Sequence, residues 1–511
     1  MADFADIQED AEHLLASCES LLRVLPQKGE PPVVHALRRA LGGNDDFRVD
    51  AIGPSGPWIA GLQTLVDSQR QRAEVEAPAL EALRRGIPPT IDLWPMATPA
   101  TTVTQITDGL TRGKTAIIVG PSTSEWLLYD AMNNKKRSID KATTEQVLIG
   151  SKVGFTEDLN DNLGLLRQWL PDVSLRVRIV TIGRRSRTRV AVAYLCDVVR
   201  PGLVPLVVEG LRRIRTDFIR TSQQVVEYLT AGSLTPFPLN EPTERPDRAA
   251  TAISQGRVVL LVDKTPFAQV VPATYFELLK DDETAAPSPI TTGFVRLLRQ
   301  VGVVLSVSAP GLAVALLSVN PEPLQPALAA SLEATRSGLP YPVFTEMLIM
   351  MLIVDIFTQA TTEAPGTVGN ALTIVGTLII GQVSVQARLV SELVMIVAAA
   401  TSLGTFLVQR IQFSYALRMA KYVVLFLSGT LGLFGWVAAG ILIVIHLTSL
   451  KSAGVPYMEP MAPLHVRSAL LQGVTRPPAA LRLRRSPIWE PADATSGNLN
   501  DSLDHQEEAP R

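Results

Sequence analysis

The chain has 511 residues, enough for more than two domains, and its mean hydropathy is +0.21. Charged residues make up 19% of the chain, below the roughly 25% of soluble domains, and they crowd into residues 1–283 and 451–511. The formal net charge of −2 gives no support for a nucleic-acid partner. The two cysteines, Cys18 and Cys196, lie far apart without metal-ligand spacing, which indicates reduced thiols rather than a disulfide framework.

The first soluble unit is predicted to be an α/β subdomain over residues 1–140. Its opening stretch, MADFADIQEDAEH, has no apolar signal core, so we expect the front half of the chain to stay in the cytoplasm. Hydrophobic spacing predicts an amphipathic helix over Asp3–Leu25, a strand in FRVDAI at 47–52 and a mostly helical stretch over Leu62–Arg84 that is interrupted at Pro78. A short helix over Thr104–Leu110 and a strand over Thr115–Val119 are predicted to follow.

A second α/β subdomain is predicted over residues 141–283. Its expected elements are a helix over Asn160–Leu170, a strand over Arg189–Tyr194, one helix covering Leu206–Leu229, and strands over Arg257–Val262 and Phe267–Val271. The run RVVLLV is apolar almost throughout, which is typical of a strand buried on both faces.

Sequence signatures of catalysis are weak. The segment GLTRGKT at 109–115 is one residue shorter than a phosphate-binding loop, and a strand follows where that motif requires a helix, so we interpret it as a polar turn. Asp263 stands at a strand end before a turn and is interpreted as a local cap rather than a catalytic acid. The five histidines show no ligand spacing. We therefore predict no enzyme activity, no cofactor and no metal site.

Residues 294–450 are predicted to form an all-α polytopic membrane domain. Five hydrophobic segments allow four to six crossings, because a bilayer core about 30 Å thick needs roughly 20 mostly apolar residues per helix. The segment Tyr422–Leu447 is interpreted either as a tight hairpin broken near Gly432 or as a re-entrant crossing. Arg296 and Arg299 stand just before the apolar run Val301–Leu317, so by the positive-inside rule the soluble half is expected in the cytoplasm. Further cytoplasmic loops are expected at Arg410, Arg418 and Lys421, and after Lys451. Residues 451–485 are expected on the cytoplasmic side, and residues 486–511 are expected to be disordered.

Polar residues within this apolar block are the candidates for a pore or gate. They are Glu346, Asp355, Thr358, Gln359, Thr373, Thr377 and Gln382. Asp355, Thr358 and Gln359 share one helix face, whereas Glu346 lies close to half a turn out of phase with them. Two interpretations stay open: lining a pore, because ionisable groups in lipid usually face water or a bundle interior, and packing between helices, which also uses polar residues.

Motifs in a constant order run from about Leu41 to Pro477. They include GFTE at 154–157, PFP at 236–238, TERPD at 243–247, DKTPF at 263–267, PGL at 310–312, LPYP at 339–342, VG at 375–376, IGQ at 380–382 and GVPY at 454–457. Together they resemble the GerA-type spore germination proteins, specifically the A subunit of nutrient germinant receptors. The resemblance implies structural roles for Glu244, Arg245, Pro246, Asp247, Asp263, Pro266, Pro310, Gly311, Pro340, Pro342, Gly376, Gly381 and Pro456.

The resemblance also implies a function. It implies a multi-pass subunit of an oligomeric, ligand-gated ion channel in the spore inner membrane, with a cytoplasmic N-terminal region, that releases monovalent cations when a nutrient germinant binds. The implied partners are copies of the same chain, a transporter-like B subunit, a lipoprotein C subunit and membrane lipids. Three alternatives stay open: a paralogous channel that amplifies germination without a nutrient-sensing complex, a secondary transporter, which would show inverted repeats, and a soluble scaffold on a plain membrane anchor.

Overall fold

The computed structural model describes residues 31–52, 57–87, 89–119, 126–132, 151–230, 234–280, 288–336, 338–363, 382–408, 410–465 and 484–496. Two sheet-containing subdomains come first, and a helical part with three candidate membrane spans follows. The predicted fold class, an α/β soluble region in two subdomains before an all-α polytopic membrane domain, is confirmed. The helix predicted over Asp3–Leu25 and one of the five hydrophobic segments, residues 371–380, lie outside the described residues.

The first subdomain is a five-stranded sheet with helices on both faces. Its elements are α1 (Pro32–Ala40), β1 (Phe47–Ala51), β2 (Trp58–Leu62), α2 (Ser68–Arg70), a π-helical turn (Gln71–Glu76), α3 (Ala77–Arg84), a 3-10 turn (Ile91–Leu93), β3 (Thr98–Ala100), α4 (Val103–Thr111), β4 (Lys114–Ile118) and β5 (Trp126–Asp130). The strand order is β1-β2-β4-β5-β3, and every neighbouring pair is antiparallel. The predicted polar turn of GLTRGKT is confirmed, because Gly113, at φ +84°, leads directly into β4.

The second subdomain repeats this plan. Its elements are α5 (Leu159–Trp169), β6 (Leu175–Ile182), β7 (Thr188–Leu195), α6 (Leu203–Arg213), α7 (Ser222–Leu229), β8 (Glu241–Thr243), α8 (Pro246–Ser254), β9 (Val258–Val262), β10 (Ala268–Val271) and α9 (Tyr275–Leu279). The antiparallel order β6-β7-β9-β10-β8 places its strands in the same sequence as in the first sheet. Every residue of β9 is buried between β7 and β10, as the apolar run RVVLLV predicts.

The prediction of one helix over Leu206–Leu229 is wrong, because α6 and α7 are separate helices. The backbone N–H of Arg184 donates to the Thr216 carbonyl at 2.8 Å, and that of Arg185 donates to the Asp217 carbonyl at 2.9 Å. A continuous helix would use these carbonyls for its own hydrogen bonds. Tertiary contact with the β6–β7 turn therefore separates the two helices, and apolar spacing carries no sign of it.

A buried polar joint connects the two subdomains. Arg167 of α5 donates to both carboxylate oxygens of Asp46, at 2.9 Å from Nε and 2.8 Å from Nη2, and each side chain is only 2% exposed. Thr64 donates to the same carboxylate at 2.8 Å, and the backbone N–H of Val177 donates to Asn44 Oδ1 at 2.8 Å. Because a bidentate guanidinium–carboxylate contact specifies geometry as well as energy, this joint sets the orientation of one sheet to the other.

The helical part begins after the second sheet. Its elements are α10 (Pro289–Val314), a π-helical continuation (Ala315–Val319), α11 (Pro326–Arg336), α12 (Val343–Glu363), α13 (Glu392–Phe406), α14 (Ile411–Ser449), the short strands β11 (Lys451–Ser452) and β12 (Val455–Pro456), and a 3-10 turn (Pro487–Trp489). Within the described residues, α10 with its continuation, α12 and α14 are long and apolar enough to cross a membrane, and α13 is a shorter apolar helix.

Two positive charges assigned to a loop lie inside a helix instead. Arg418 and Lys421 belong to α14, and the Lys421 side chain is buried. Arg296 and Arg299 belong to α10 and are also buried. The prediction of a loop at Arg418 and Lys421 is therefore wrong, because both residues lie within α14, where the Lys421 side chain reaches a carboxylate of another helix.

The structure also corrects the start of the predicted disordered tail. Trp489, 2% exposed, lies beneath the Arg257 guanidinium, whose carbon is 4.8 Å from the ring centroid. Arg485 donates to the Ser254 carbonyl at 2.9 Å and pairs with Asp493 at 2.6 Å. Residues 484–496 therefore pack on the second subdomain, because this short stretch carries an aromatic anchor and a paired arginine.

The α14 segment folds back on itself at Gly432. That residue has φ +64° and ψ −140°, which is not helical. The Phe237 ring lies 6.1 Å from the rings of both Phe413 and His446, near the two ends of the segment. In a straight helix those ends would be about 50 Å apart. Of the two interpretations of this segment, the structure shows the hairpin.

Gly432→Ala is expected to destabilise the helical part by about 1–3 kcal/mol, because glycine alone adopts this backbone conformation freely. An added Cβ would also stand 2.0 Å from Asn320 Oδ1, which accepts a hydrogen bond from the Leu433 N–H at the turn. Gly440→Ala in the same segment is the matched control, since its Cβ would meet no atom within 4 Å. Thermal unfolding in detergent measures both, and equal losses would contradict the role of Gly432.

Candidate functional site

An ion pair lies inside the helical part, between α12 and α14. Asp355 of α12 accepts from Lys421 Nζ at 2.8 Å and from the Tyr422 hydroxyl at 2.6 Å. The Lys421 side chain is 4% exposed and that of Asp355 18% exposed. Of the predicted pore candidates, Asp355 is thus joined to a basic partner from another candidate span.

This pair has two consequences for the helices that carry it. Breaking a buried ion pair by removing one partner is strongly destabilising, since the charge that stays behind has neither water nor a counter-ion. Charged groups within membrane helices are also rare and mark ion paths, proton relays or structural pairs. Asp355 and Lys421 therefore hold α12 against α14, and a movement that separates them would place two charges in the bundle interior.

Glu346, nine residues before Asp355, is fully buried and contacts other elements. One carboxylate oxygen pairs with Arg336 at the end of α11, at 3.3 Å, and the other accepts from the Ser391 N–H at 3.0 Å. Ser391 is the N-cap residue of α13, and its hydroxyl accepts from the Val394 N–H. Glu346 of α12 therefore contacts both α11 and the start of α13. Its partners differ from those of Asp355, as expected for two residues half a turn out of phase on one helix.

The remaining pore candidates divide into three groups. Thr358 is half-buried and donates to the Val354 carbonyl at 2.7 Å, and Gln359 donates to Glu363 at 2.7 Å. Gln382 is exposed. The rest of the predicted positions, Thr373, Thr377, Gly376 and Gly381, lie outside the described residues.

A second charged cluster joins the soluble region to the helical part. Its centre is Glu241 of β8, 2% exposed, which pairs with Arg248 at 2.7 Å, Arg257 at 2.8 Å and Arg410 at 3.0 Å. Arg410 is the N-cap residue of α14 and also donates to the Pro242 carbonyl at 3.2 Å. Burial raises the pKa of Glu241, but the three guanidinium groups outweigh it and hold the pKa well below its usual range.

Apolar and aromatic contacts surround that cluster. Phe237 packs on Phe413 and Tyr457 with ring centroids 6.1 and 6.5 Å apart. In α10, Arg299 donates to the Leu279 carbonyl at 2.5 Å and to the Leu407 carbonyl at 3.0 Å. These contacts tie the last helix of the soluble region, α9, to both α10 and α13. The junction is therefore a packed core with a charged centre.

The family-motif residues of the soluble region lie at its turns and helix ends. Arg245, 1% exposed, pairs with Asp247 in the first turn of α8, where Pro246 is the first helical residue. Glu244 offers its backbone carbonyl to the Phe155 N–H at 2.7 Å. Asp263, just after β9, pairs with Arg189 at 3.5 Å. Pro266 follows in the turn before β10.

The motif residues of the helical part lie where elements meet. Pro310 is inside α10, and a Cβ on Gly311 would stand 2.6 Å from Ser428 Oγ, so this glycine permits close contact with α14. Pro340 precedes α12, and the Pro342 carbonyl accepts from the Glu346 N–H at 3.0 Å. Pro456 pairs with Lys451 in the small β11–β12 sheet.

The sequence is similar to that of known proteins over most of its length. The family model described as "Bacillus/Clostridium GerA spore germination protein" matches residues 61–488. This chain belongs to the GerA family of spore germination proteins. Spore germination protein XA of Bacillus anthracis is 34% identical over 69% of this chain and 71% of its own length, and spore germination protein B1 of Bacillus subtilis is 32% identical over 68% and 72%. The N-terminal domain of the A subunit of the Bacillus megaterium germinant receptor GerK3 aligns over 47% of this chain and 94% of its own, at 19% identity and a TM-score of 0.35.

Proposed function

We propose that this GerA-family chain is the A subunit of a nutrient germinant receptor in the spore inner membrane. In this proposal, copies of the chain form an oligomeric cation channel that opens when a germinant binds. A transporter-like B subunit and a lipoprotein C subunit complete the receptor, and monovalent cations are the ions carried. The observation that supports it best is the Asp355–Lys421 pair between two candidate membrane spans.

Two features of α12 suit an ion path. Asp355, Thr358 and Gln359 lie on one face of the helix, and carboxylate, hydroxyl and amide oxygens all replace water around a monovalent cation. An oligomer would repeat this face once per subunit, so a ring of such groups would surround a central passage. Beside this polar face, the same helix exposes Leu352 and Ile356, at 52% and 61%, to lipid or a neighbouring subunit.

A physical route joins the soluble region to this path. Arg410 is held by Glu241 at the start of α14, and Lys421 of the same helix holds Asp355. Eleven residues separate the two basic residues, which is about 16 Å along a helix. Movement of the second subdomain would therefore shift one helix that carries both contacts. Germinant binding that favours one of two such states would bias opening of the channel.

The test is a cation flux assay with the purified chain and its B and C subunits in sealed vesicles. Germinant is expected to start potassium efflux, and Gln359→Leu is expected to change the potassium-to-sodium ratio several-fold, on the order of tenfold at most. Ile353→Ala, on the opposite side of α12 from Asp355, Thr358 and Gln359, is the matched control and should leave that ratio unchanged. Sealed vesicles without germinant-dependent efflux would overturn the proposal. Efflux from the chain alone without germinant would instead favour the amplifying paralogue.

A further inference from the structure

Two loops of the second subdomain are joined into one surface. The β6–β7 turn covers residues 183–187, and the loop between α6 and α7 covers residues 214–221. Besides the bonds from Arg184 and Arg185 described above, the Ile219 N–H donates to Ser186 Oγ at 3.2 Å. The two loops therefore present their exposed side chains side by side.

This surface is strongly basic. We name it the arginine face, and its exposed basic residues are Arg184, Arg185, Arg187, Arg212, Arg213, Arg215 and Arg220. Two acidic residues lie among them: Asp217 pairs with Arg184 at 3.0 Å and with Arg185 at 3.4 Å, and Glu209 pairs with Arg213 at 3.1 Å. The arginine face thus carries a net charge of +5 in a chain whose net charge is −2.

An aromatic residue stands in the middle of these charges. Phe218 is 61% exposed, although a phenylalanine in a soluble loop gains free energy by leaving water. An exposed apolar side chain among arginines is the arrangement that binds the surface of an anionic bilayer, where the ring enters the interface and the guanidinium groups meet phosphates.

The arginine face lies near the start of α14, and this position favours the same partner, an anionic bilayer. Gln223, in the first turn of α7, accepts from Gln412, in the first turn of α14, at 3.1 Å. Arg220 stands three residues before Gln223, and its backbone N–H donates to Gln224 Oε1 of α7 at 3.0 Å. Within α14, Tyr415 is 38% exposed and the Arg418 guanidinium carbon lies 5.5 Å from its ring centroid, a pair of the kind that anchors helices at the lipid interface.

We propose that the arginine face binds the anionic phospholipid headgroups of the bilayer that holds the helical part, with Phe218 entering the interface. The proposal rests on the membrane location given under Proposed function and not on ion conduction. Bilayer phosphates would then hold the α6–α7 loop, and with it Gln223 and its contact to the start of α14, close to the membrane surface. Lipid charge would thereby act on the same helix that Glu241 holds through Arg410.

The test measures amide hydrogen exchange of residues 214–221 in the full chain, reconstituted in nanodiscs of pure phosphatidylcholine or with 30% phosphatidylglycerol. Anionic lipid is expected to slow exchange of the loop about tenfold, and 1 M salt to remove that protection. Arg215→Gln/Arg220→Gln is expected to abolish most of the lipid-dependent protection. The matched control, Arg84→Gln/Arg85→Gln, removes two exposed arginines from the first subdomain and should retain it.

The possible outcomes distinguish failure of lipid binding from failure of the proposed function. A chain that enters nanodiscs but shows equal exchange in neutral and anionic lipid overturns lipid binding, and an acidic protein then becomes the better partner for the arginine face. Equal loss of protection in the control variant also overturns it, because general charge would explain the effect. A chain that does not enter nanodiscs contradicts the membrane location itself, which separates failure of the proposed function from failure of this inference.

Discussion

Asp355→Ala and Lys421→Ala are each expected to destabilise the helical part by about 3–5 kcal/mol, because either change leaves a buried charge without its partner. The pair joins Lys421 Nζ to Asp355 Oδ1 at 2.8 Å, and Tyr422 donates to the other oxygen. The double variant Asp355→Ala/Lys421→Ala is expected to recover most of the loss, since neither charge then remains. Denaturation of the purified variants in detergent gives the coupling energy as a double-mutant cycle.

The control for this cycle is Glu363→Ala at the end of the same helix. Glu363 is exposed and accepts a hydrogen bond from Gln359, so its loss should cost about 0.5 kcal/mol or less. Effects of Asp355→Ala and Lys421→Ala that simply add in the double variant would contradict the pairing seen here. The cycle measures stability alone, so its result does not depend on whether the chain conducts ions.

Glu241→Gln is the second variant with a large expected effect, about 3–5 kcal/mol. Glutamine keeps the volume of the side chain but removes the negative charge that Arg248, Arg257 and Arg410 share. Since Arg410 begins α14, the loss is expected at the junction between the soluble region and the helices. Hydrogen exchange should accelerate in β8 and in the first turn of α14, while β1 and β2 of the first subdomain keep their protection.

The pH dependence of stability distinguishes this mechanism from a simple loss of packing. The pKa of Glu241 is lower in the folded protein than in the unfolded chain, so its stabilising contribution is fully present above about pH 4.3 and is lost as the pH falls further. Below that pH the wild type should therefore lose stability more steeply than Glu241→Gln. Glu209→Gln, at an exposed ion pair with Arg213, is the control and should cost at most about 1 kcal/mol. Parallel pH profiles of wild type and Glu241→Gln would count against the charged cluster.

Much of the soluble fold was predictable because its elements carry local signals. The strand at 47–52, the short helix near Thr104–Leu110 and the buried strand RVVLLV all follow from hydrophobic period and turn residues. The break between α6 and α7 was not predictable, since it depends on hydrogen bonds from Arg184 and Arg185 to a loop about thirty residues away. Non-local bonds of that kind leave no period in the sequence.

The candidate site was predictable in part. Asp355 is evident as an acid within an apolar helix, because its solvation cost demands a partner. Lys421 was interpreted as a loop charge, since it stands directly before the apolar segment Tyr422–Leu447. Arg299 was placed just before an apolar segment, but its bonds to two carbonyls in the core of the junction were not predictable from that position. A positive-inside count records charge near a segment end and carries no information about the partner.

By itself the sequence determined the family, the order of two sheet subdomains and a helical part, and the presence of an acid in α12, because each depends on residues close in the chain. Only the tertiary structure decided that Asp355 meets Lys421, that Glu241 meets Arg410 and that α14 folds back at Gly432. The physical reason is the same in all three cases. A charge within an apolar segment indicates that a partner is needed, and a glycine permits a turn. Which residue is the partner, and where the chain turns, depends on how distant elements pack.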